Sequence, residues 1–301
     1  MSFGRLLFAA ATALLVLCLL GTVVGLLTLA APGVDRLVQS IEAGGPGQLP
    51  ATVRLADVLR TPRDSRPSDE GLLAARLAAV LRRQLDSASR DPAQALLTVY
   101  LCRILGELYA PEPSDALVEA AAAREPVDVR RSAVEALAML ASHVSVEQFR
   151  LHSGCARALA ASCDDPLGEI RAATAFALGV IGGRDAPQRL RRLLSDPVAD
   201  VRYNAATALA RLGDPAATPV LLEMLDAERI APLVGQLPRD RGANLDAVRL
   251  NALRAVEQLR AANPRLDLAA FVEPVERLAR GQSAHAIRVK ALELSHQLHS
   301  R

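Results

Sequence analysis

Hydrophobic positions form two different patterns along the chain. Leu6–Ala31 is a run of 26 residues without a charged side chain. From about Gly71 onward, apolar residues recur at helical spacing in Ala- and Leu-rich segments bounded by Pro, Gly or Asp. No stretch alternates with the period of two that a half-buried strand needs. The pattern predicts an all-α protein, with one transmembrane helix followed by an array of amphipathic helices.

The apolar run is long enough to cross a bilayer, because about 20 apolar residues in a helix cover about 30 Å of hydrocarbon. A cleaved signal peptide is the alternative, but its apolar region is normally about 7–15 residues. We therefore predict an uncleaved single-pass anchor, with the amino terminus cytoplasmic and the bulk of the chain extracytoplasmic. Gly21 and Gly25 form a GxxxG through which two copies could pack as a homodimer, although such residues are also common in membrane helices generally.

Composition predicts the boundaries of the remaining chain. Gly44–Gly71 contains four Gly, four Pro and eight charged residues in 28 positions, which indicates a tether. Val34–Ala43 is expected to form a short amphipathic helix at the membrane surface. The predicted organisation is therefore an anchor at 1–33, a juxtamembrane segment and flexible tether at 34–70, and a helical domain at 71–301.

One pattern recurs five times in the helical domain, each time around an arginine preceded by a β-branched residue. The spacings between successive arginines are 41, 31, 47 and 39 residues, which is the range of two-helix repeats. Counting each arginine as position 0, small residues occupy +3 and, in four copies, +6, while +10 is Leu or Ile. These positions and −1 share one helix face, which is expected to be buried. The arginines are Arg130, Arg171, Arg202, Arg249 and Arg288.

A second helix precedes the strong copies, and Asp165-Pro166 and Asp196-Pro197 mark the turn between the two. Asp caps free amides there, and Pro at the first helical position loses no hydrogen bond. Over about Asp115–Leu298, these features resemble HEAT repeats, and the 31-residue spacing resembles the short subtype named after phycobilin lyases. The resemblance implies an α-solenoid of helix pairs.

The resemblance also implies a structural ladder in which the acidic residue and the arginine of each repeat bond within or between repeats. These roles would fall to Asp128 with Arg130, Glu169 with Arg171, and Asp200 with Arg202, and in the weaker copies to Arg249 and Arg288.

In such a solenoid the second helices line up along one side, which gives an extended surface suited to a protein or peptide. Six polar side chains are expected on that surface, and an ordinary solvated face is the alternative for each: Arg131, Glu135, Tyr203, Asn204, Asn251 and Arg254. The irregular stretch Glu228–Asn244 lengthens one spacing to 47 residues, and is either a binding rim or a tolerated surface loop.

Charge and composition narrow the function. A formal charge of +2, 3% aromatic residues and no Trp argue against nucleic acid as a partner. No phosphate loop, nucleophile elbow or metal-ligand spacing is present, and His152 with Cys155 is a weak pair, so we expect no catalysis, metal or cofactor. The sequence thus predicts a membrane-anchored scaffold that binds a protein or peptide. The alternatives are a bilin-lyase-like enzyme or accessory factor and a DNA-binding HEAT-like solenoid.

Overall fold

The computed structural model describes residues 33–60, 69–87, 91–111, 114–122, 124–144, 154–231, 241–281 and 283–300. All regular secondary structure in these ranges is helical. The chain divides into two compact bodies, Met1–Pro67 and Ser68–Arg301. The predicted transmembrane helix, with Gly21 and Gly25, lies outside the described residues. None of the helices in the described ranges combines the length and the apolar character needed to span a membrane.

The first body contains a helical hairpin of α1 (Val34–Ala43) and α2 (Gln48–Leu59). Gly44 and Gly45 make the turn, each at a φ of +77°, a conformation that costs glycine little. Leu37, Val38 and Ile41 of α1 are buried, as are Leu55 and Leu59 of α2. The expected helix at 34–43 is therefore present, and it has a partner helix.

The prediction of a flexible tether is wrong for Gln48–Leu59. The Pro and Gly content suggested a linker, but Pro50 stands in the first turn of α2, where its missing N–H is not needed. Leu55 and Leu59 are four residues apart and so share one helix face. The side-chain amide of Gln48 donates to the Ile41 carbonyl oxygen at 2.8 Å, which closes the hairpin.

The second body is a row of helix pairs, and the described residues form six of them, here called repeats 1 to 6. Within each repeat the two helices pack against each other. The first helices are α3 (Glu70–Asp86), α5 (Ser114–Ala120), α7 (Gly154–Ser162), α9 (Ala186–Leu193), α11 (Thr218–Leu225) and α14 (Ala269–Arg280). The second helices are α4 (Pro92–Gly106), α6 (Val127–His143), α8 (Gly168–Ile181), α10 (Ala199–Arg211), α13 (Arg241–Ala262) and α15 (His285–His299). A short helix, α12 (Ala227–Ile230), lies within repeat 5.

Each second helix packs against the next, from α4 through to α15, so the five arginine-marked helices lie side by side as expected. Small residues set how closely they approach. A β-carbon added at Gly106 would come within 2.8 Å of the Ala136 backbone, and one at Gly179 within 2.5 Å of the Ala208 side chain. The architecture of this body is an all-α solenoid of helix pairs.

The buried face follows the predicted positions with one clear exception. Every residue at +3 and +6 is buried. At +10, Leu140, Ile181 and Leu259 are buried, and Leu298 is half-buried. Leu212 is 39% exposed, because α10 ends at Arg211 and the chain turns away at Gly213, whose φ is +74°.

The irregular stretch at 228–244 is partly helical. Residue 230 ends α12, and α13 already begins at Arg241. Residues 232–240 lie outside the described ranges, so neither interpretation of the insertion is decided.

Candidate functional site

The second helices of repeats 2 to 5 line one groove of about 630 Å³. Its walls come from α6, α8, α10 and α13, with Met224 of α11 at its base. All six side chains predicted for a partner-binding face lie in this groove: Arg131, Glu135, Tyr203, Asn204, Asn251 and Arg254. They meet because they occupy +1, +2 or +5 on helices stacked in register, and these positions share one side of a helix.

Two of the six are parts of the wall instead of exposed contact points. Tyr203 is 5% exposed, and its hydroxyl donates to Glu223 Oε1 at 3.0 Å. Burial and the neighbouring Glu223 carboxylate raise the pKa of the Tyr203 phenol, so it stays neutral. The Asn204 amide donates to the Ala172 carbonyl oxygen at 3.0 Å and ties α10 to α8. The expectation that Tyr203 is exposed is therefore wrong, because its ring fills the space between repeats 4 and 5.

Arg131 is half-exposed and already engaged. Its guanidinium bonds Asp128 Oδ1 at 2.9 Å on its own helix and Glu169 Oε2 at 3.1 Å on the next. One positive charge is thus shared between two carboxylates at the rim of the groove. Asp200 lines the same rim on α10, one repeat further along.

Glu135, Asn251 and Arg254 have polar groups available for a ligand. Within the described part of the chain, none of the three makes a side-chain hydrogen bond or ion pair. Glu135 is half-buried, whereas Asn251 and Arg254 are exposed. They stand on α6 and α13, the first and last helices of the groove, so its two ends carry opposite charges.

The sequence did not predict several other lining residues, among them Phe176, Arg211 and Gln258. Phe176 is 38% exposed at the middle of the groove. Arg211 and Gln258 are exposed and lie nearer the carboxyl ends of α10 and α13. Phe176 holds +5, the position of Glu135 and Arg254, and Arg211 and Gln258 hold +9. Positions +2, +5 and +9 share one helix face, and this spacing was a signal that could have identified them.

The arginines at position 0 bond to different carboxylates from those expected. Arg130 pairs with Asp165, and Arg171 binds both oxygens of Asp196 at 2.7 and 2.8 Å. These acceptors belong to the Asp-Pro turn of the following repeat. Asp128 and Glu169 instead face Arg131, so the expected pairing with Arg130 and Arg171 is wrong. Residues −2 and 0 of a helix are about 200° apart around its axis, which separates the two side chains.

Each Asp-Pro turn therefore performs two tasks. Asp196 Oδ1 accepts the Val198 amide at 2.9 Å, which forms the turn, while the same carboxylate holds Arg171 of the preceding repeat. Asp165 likewise accepts the Leu167 amide at 2.9 Å and holds Arg130.

Repeat 5 has no Asp-Pro turn before its second helix, and the ladder changes there. Arg202 donates to Glu223 Oε1 of α11 at 2.7 Å, so Asp200 is not its partner. Arg249 lies 3.8 Å from Asp246 on its own helix, and its Nε is buried without an acceptor in the described residues. Arg288 donates to the Ser283 carbonyl oxygen at 2.6 Å. Other polar contacts join the second helices of these two repeats: Lys290 lies 2.8 Å from Glu257, and Arg260 donates to the Gln297 carbonyl oxygen at 3.2 Å.

Groups capable of chemistry are dispersed in the described ranges. No group of three or more His, Cys, Asp or Glu side chains there could hold a metal ion. Cys155 and Cys163 are buried free thiols, and His152 lies outside the described residues. Burial raises the pKa of the Cys155 thiol to about 12, which keeps it protonated and unreactive at neutral pH.

One family model matches part of the chain. Residues 156–233 match the family model of HEAT repeats. No curated protein matches the chain.

Solved structures with similar traces include the complex of CpcE and CpcF of phycocyanin lyase from Nostoc sp., at 17% identity, 89% of this chain, 95% of that chain and a TM-score of 0.48. An archaeal HEAT-like repeats protein from Thermococcus onnurineus NA1 has 16% identity over 82% of this chain and 96% of its own, with a TM-score of 0.47. An engineered protein has 20% identity over 77% and 98%, with a TM-score of 0.46. Sequence identities this low give no information about the ligands or partners of this chain. The segment that matches HEAT repeats, residues 156–233, runs from α7 to α12.

Proposed function

We propose that this protein is a non-catalytic scaffold, anchored to a membrane by Leu6–Ala31, that binds an extended segment of a partner protein in the groove between α6 and α13. The observation that carries this proposal is the groove itself, where four stacked helices turn free polar groups and an exposed aromatic ring toward one channel.

The dimensions of the groove favour a polypeptide. Neighbouring packed helices lie about 8–10 Å apart, so the row from Glu135 to Arg254, which crosses three such spacings, covers roughly 24–30 Å across the helices. An extended chain rises about 3.3 Å per residue, so about eight residues would follow this row. A small molecule would contact only part of it. The exposed side-chain amides of Asn251 and Gln258 can both donate to and accept from a peptide backbone.

The exposed ring of Phe176 would provide the apolar contact. Aromatic side chains contribute much of the binding free energy at interfaces because they bury large areas with few rotatable bonds. Phe176 lies near the centre of the lining, between the charged ends, where a bound segment would exclude water from it.

The membrane part of the proposal is supported by the 26 uncharged residues of Leu6–Ala31. It places the amino terminus in the cytoplasm and the solenoid outside it. In fractionation of cells, the full-length chain should remain with membranes after a high-salt wash. Release at a mass that lacks the first 30 or so residues would contradict an uncleaved anchor.

The binding function is tested by crosslinking in cells, detergent purification and identification of the crosslinked proteins. The informative variant is Phe176→Asp, and the matched control is Leu72→Asp, since Leu72 is 59% exposed on α3 and lies outside the groove. We expect a partner whose crosslinks are lost in Phe176→Asp and kept in Leu72→Asp. Identical crosslinking profiles of the two variants and the unchanged protein would contradict the proposal.

A further inference from the structure

The two ends of the groove carry opposite net charge. At the α6 end, Glu135 has no cationic partner among the described residues, and Glu169 shares Arg131 with a second carboxylate, so negative charge is in excess. At the α13 end, Arg254 is exposed and without an acid partner in the described residues. Arg211 of α10 also lines the groove, with its guanidinium beside Gly179 of α8.

Between these ends the lining is uncharged at position +5. Phe176 and Thr207 occupy this position on α8 and α10, and Ala172 and Ala173 form the floor beside the ring. Thr207 donates its hydroxyl proton to the Asn204 carbonyl oxygen at 3.0 Å, which leaves its methyl group for the groove. The row at +5 therefore reads acidic, aromatic, neutral, basic from α6 to α13.

We propose that the groove selects a segment of mixed charge: a basic side chain at the α6 end, an apolar side chain over Phe176, and an acidic side chain at the α13 end. This inference rests on the proposed function and specifies the chemistry of its partner. About eight residues separate the basic and acidic side chains, from the helix spacing and the rise of an extended chain. This order of charges across the groove applies to either direction of the bound chain, and the test includes both directions.

Charge complementarity excludes uniformly charged ligands. A polyanion such as a nucleic acid strand would be attracted to Arg254 and Arg211 but repelled by Glu135 and by Asp200 on the rim. A polybasic segment would be attracted to Glu135 and Asp200 but repelled by Arg254 and Arg211. A segment with both charges in the matching order is attracted at both ends of the groove. A segment with the opposite order is repelled at both ends.

The test is selection of random dodecapeptides displayed on phage against the full-length chain in detergent, with the Phe176→Asp variant used to remove peptides that bind elsewhere. Affinities of the enriched peptides are then measured by fluorescence anisotropy. A double variant, Glu135→Arg with Arg254→Glu, exchanges the charges at the two ends. The matched control exchanges the exposed ion pair of α2, Asp57→Arg with Arg60→Asp, and keeps the same net charge.

We expect enriched peptides to carry one basic and one acidic residue about eight positions apart, in a single order. The double variant should bind them at least about tenfold more weakly, and peptides with the two charges exchanged should recover that loss. The control exchange should leave affinity within about twofold. The preference should weaken in 0.5 M salt.

Two results would overturn the inference, and they differ in what else they overturn. Peptides that depend on Phe176 but bind the charge-exchanged variant equally well would refute the charge order alone and leave groove binding intact. A selection that yields no Phe176-dependent peptide would refute both the charge order and the proposed binding function.

Discussion

Asp196 connects the turn of repeat 4 to the arginine of repeat 3, so removing its carboxylate should destabilise both. Its side chain is 7% exposed and accepts three hydrogen bonds, two from Arg171 at 2.7 and 2.8 Å and one from the Val198 amide at 2.9 Å. Asp196→Ala eliminates all three and leaves a guanidinium that is only 13% exposed.

The expected loss can be estimated from these contacts. Removing one partner of a buried ion pair costs about 3–5 kcal/mol, and losing a capping side chain costs about 1 kcal/mol. Arg171 retains two acceptors, the carbonyl oxygens of Asp165 at 2.8 Å and Pro166 at 3.1 Å, which reduces the penalty. We therefore expect Asp196→Ala to lower the free energy of unfolding by about 3 kcal/mol in total. Asp196→Asn keeps the amide acceptor and should lose about half as much.

Urea unfolding followed by circular dichroism measures this loss, since the chain has no Trp for fluorescence. Asp200→Ala is the control, because Asp200 is exposed in the same repeat and should change stability by less than about 0.5 kcal/mol. A loss below about 1 kcal/mol for Asp196→Ala would refute the reasoning. So would a double-mutant cycle with Arg171→Ala in which the two losses simply add, because a shared ion pair predicts a coupling of about 2 kcal/mol.

The same contact predicts a pH dependence. The hydrogen bonds from Arg171, followed by the Val198 amide and the nearby arginine charges, lower the pKa of the Asp196 carboxyl below its ordinary value of 3.8. A carboxyl with a lower pKa in the folded state stabilises the fold above its unfolded pKa and loses this effect as the pH falls through the folded value. The stability difference between the unchanged protein and Asp196→Asn should therefore be full at pH 6 and shrink below about pH 4. A difference that grows on acidification would contradict the assignment.

Two further predictions concern packing and thiol reactivity. Gly179→Val should lower the free energy of unfolding by at least about 2 kcal/mol in the same assay, because its β-carbon would fall within 2.5 Å of Ala208. Gly154→Ala should be nearly neutral, because the nearest neighbour of its β-carbon is at 3.6 Å. Equal effects of the two substitutions would contradict the close approach of α8 and α10. Burial raises the pKa of the Cys102 and Cys155 thiols to about 12. Both thiols should therefore resist iodoacetamide at pH 8 in the native chain and react with it in urea, as mapped by peptide mass spectrometry. Rapid labelling of the native chain would contradict their burial.

The fold was largely predictable because its core depends on a repeated register. The residues at +3 and +6 are buried in repeats 2 to 6, and all but Leu294 are small, because closely packed helices leave little room there. Leu212 departed from the rule because the register assumed a helix one residue longer than α10. The hairpin of α1 and α2 was missed because its Gly and Pro residues suggested a linker, although they only form the turn and first helical turn.

The ladder illustrates what local pattern could not provide. Asp165 and Asp196 were correctly interpreted as the residues that form turns, and a turn residue has no evident need of a second partner. Their bonds to Arg130 and Arg171 depend on how the following repeat stacks, 25 to 35 residues further along the chain. Only the stacked structure shows that the acid three residues before the second helix of one repeat accepts from the arginine of the preceding repeat.

The division between predictable and unpredictable positions also separates stability from specificity. Positions −1, +3 and +6 are constrained by packing, and position 0 is constrained in repeats 2 to 4 by an acid of the next repeat. Position +5 faces the groove and has no such constraint, and it holds Glu135, Phe176, Thr207 and Arg254 in succession. These side chains can differ from repeat to repeat without loss of the fold, because they line the groove and are not part of the packing between repeats. Position +5 and the positions beside it should therefore determine which partner binds. Charge exchange at +5 should change binding, whereas substitution of Asp196 should change stability.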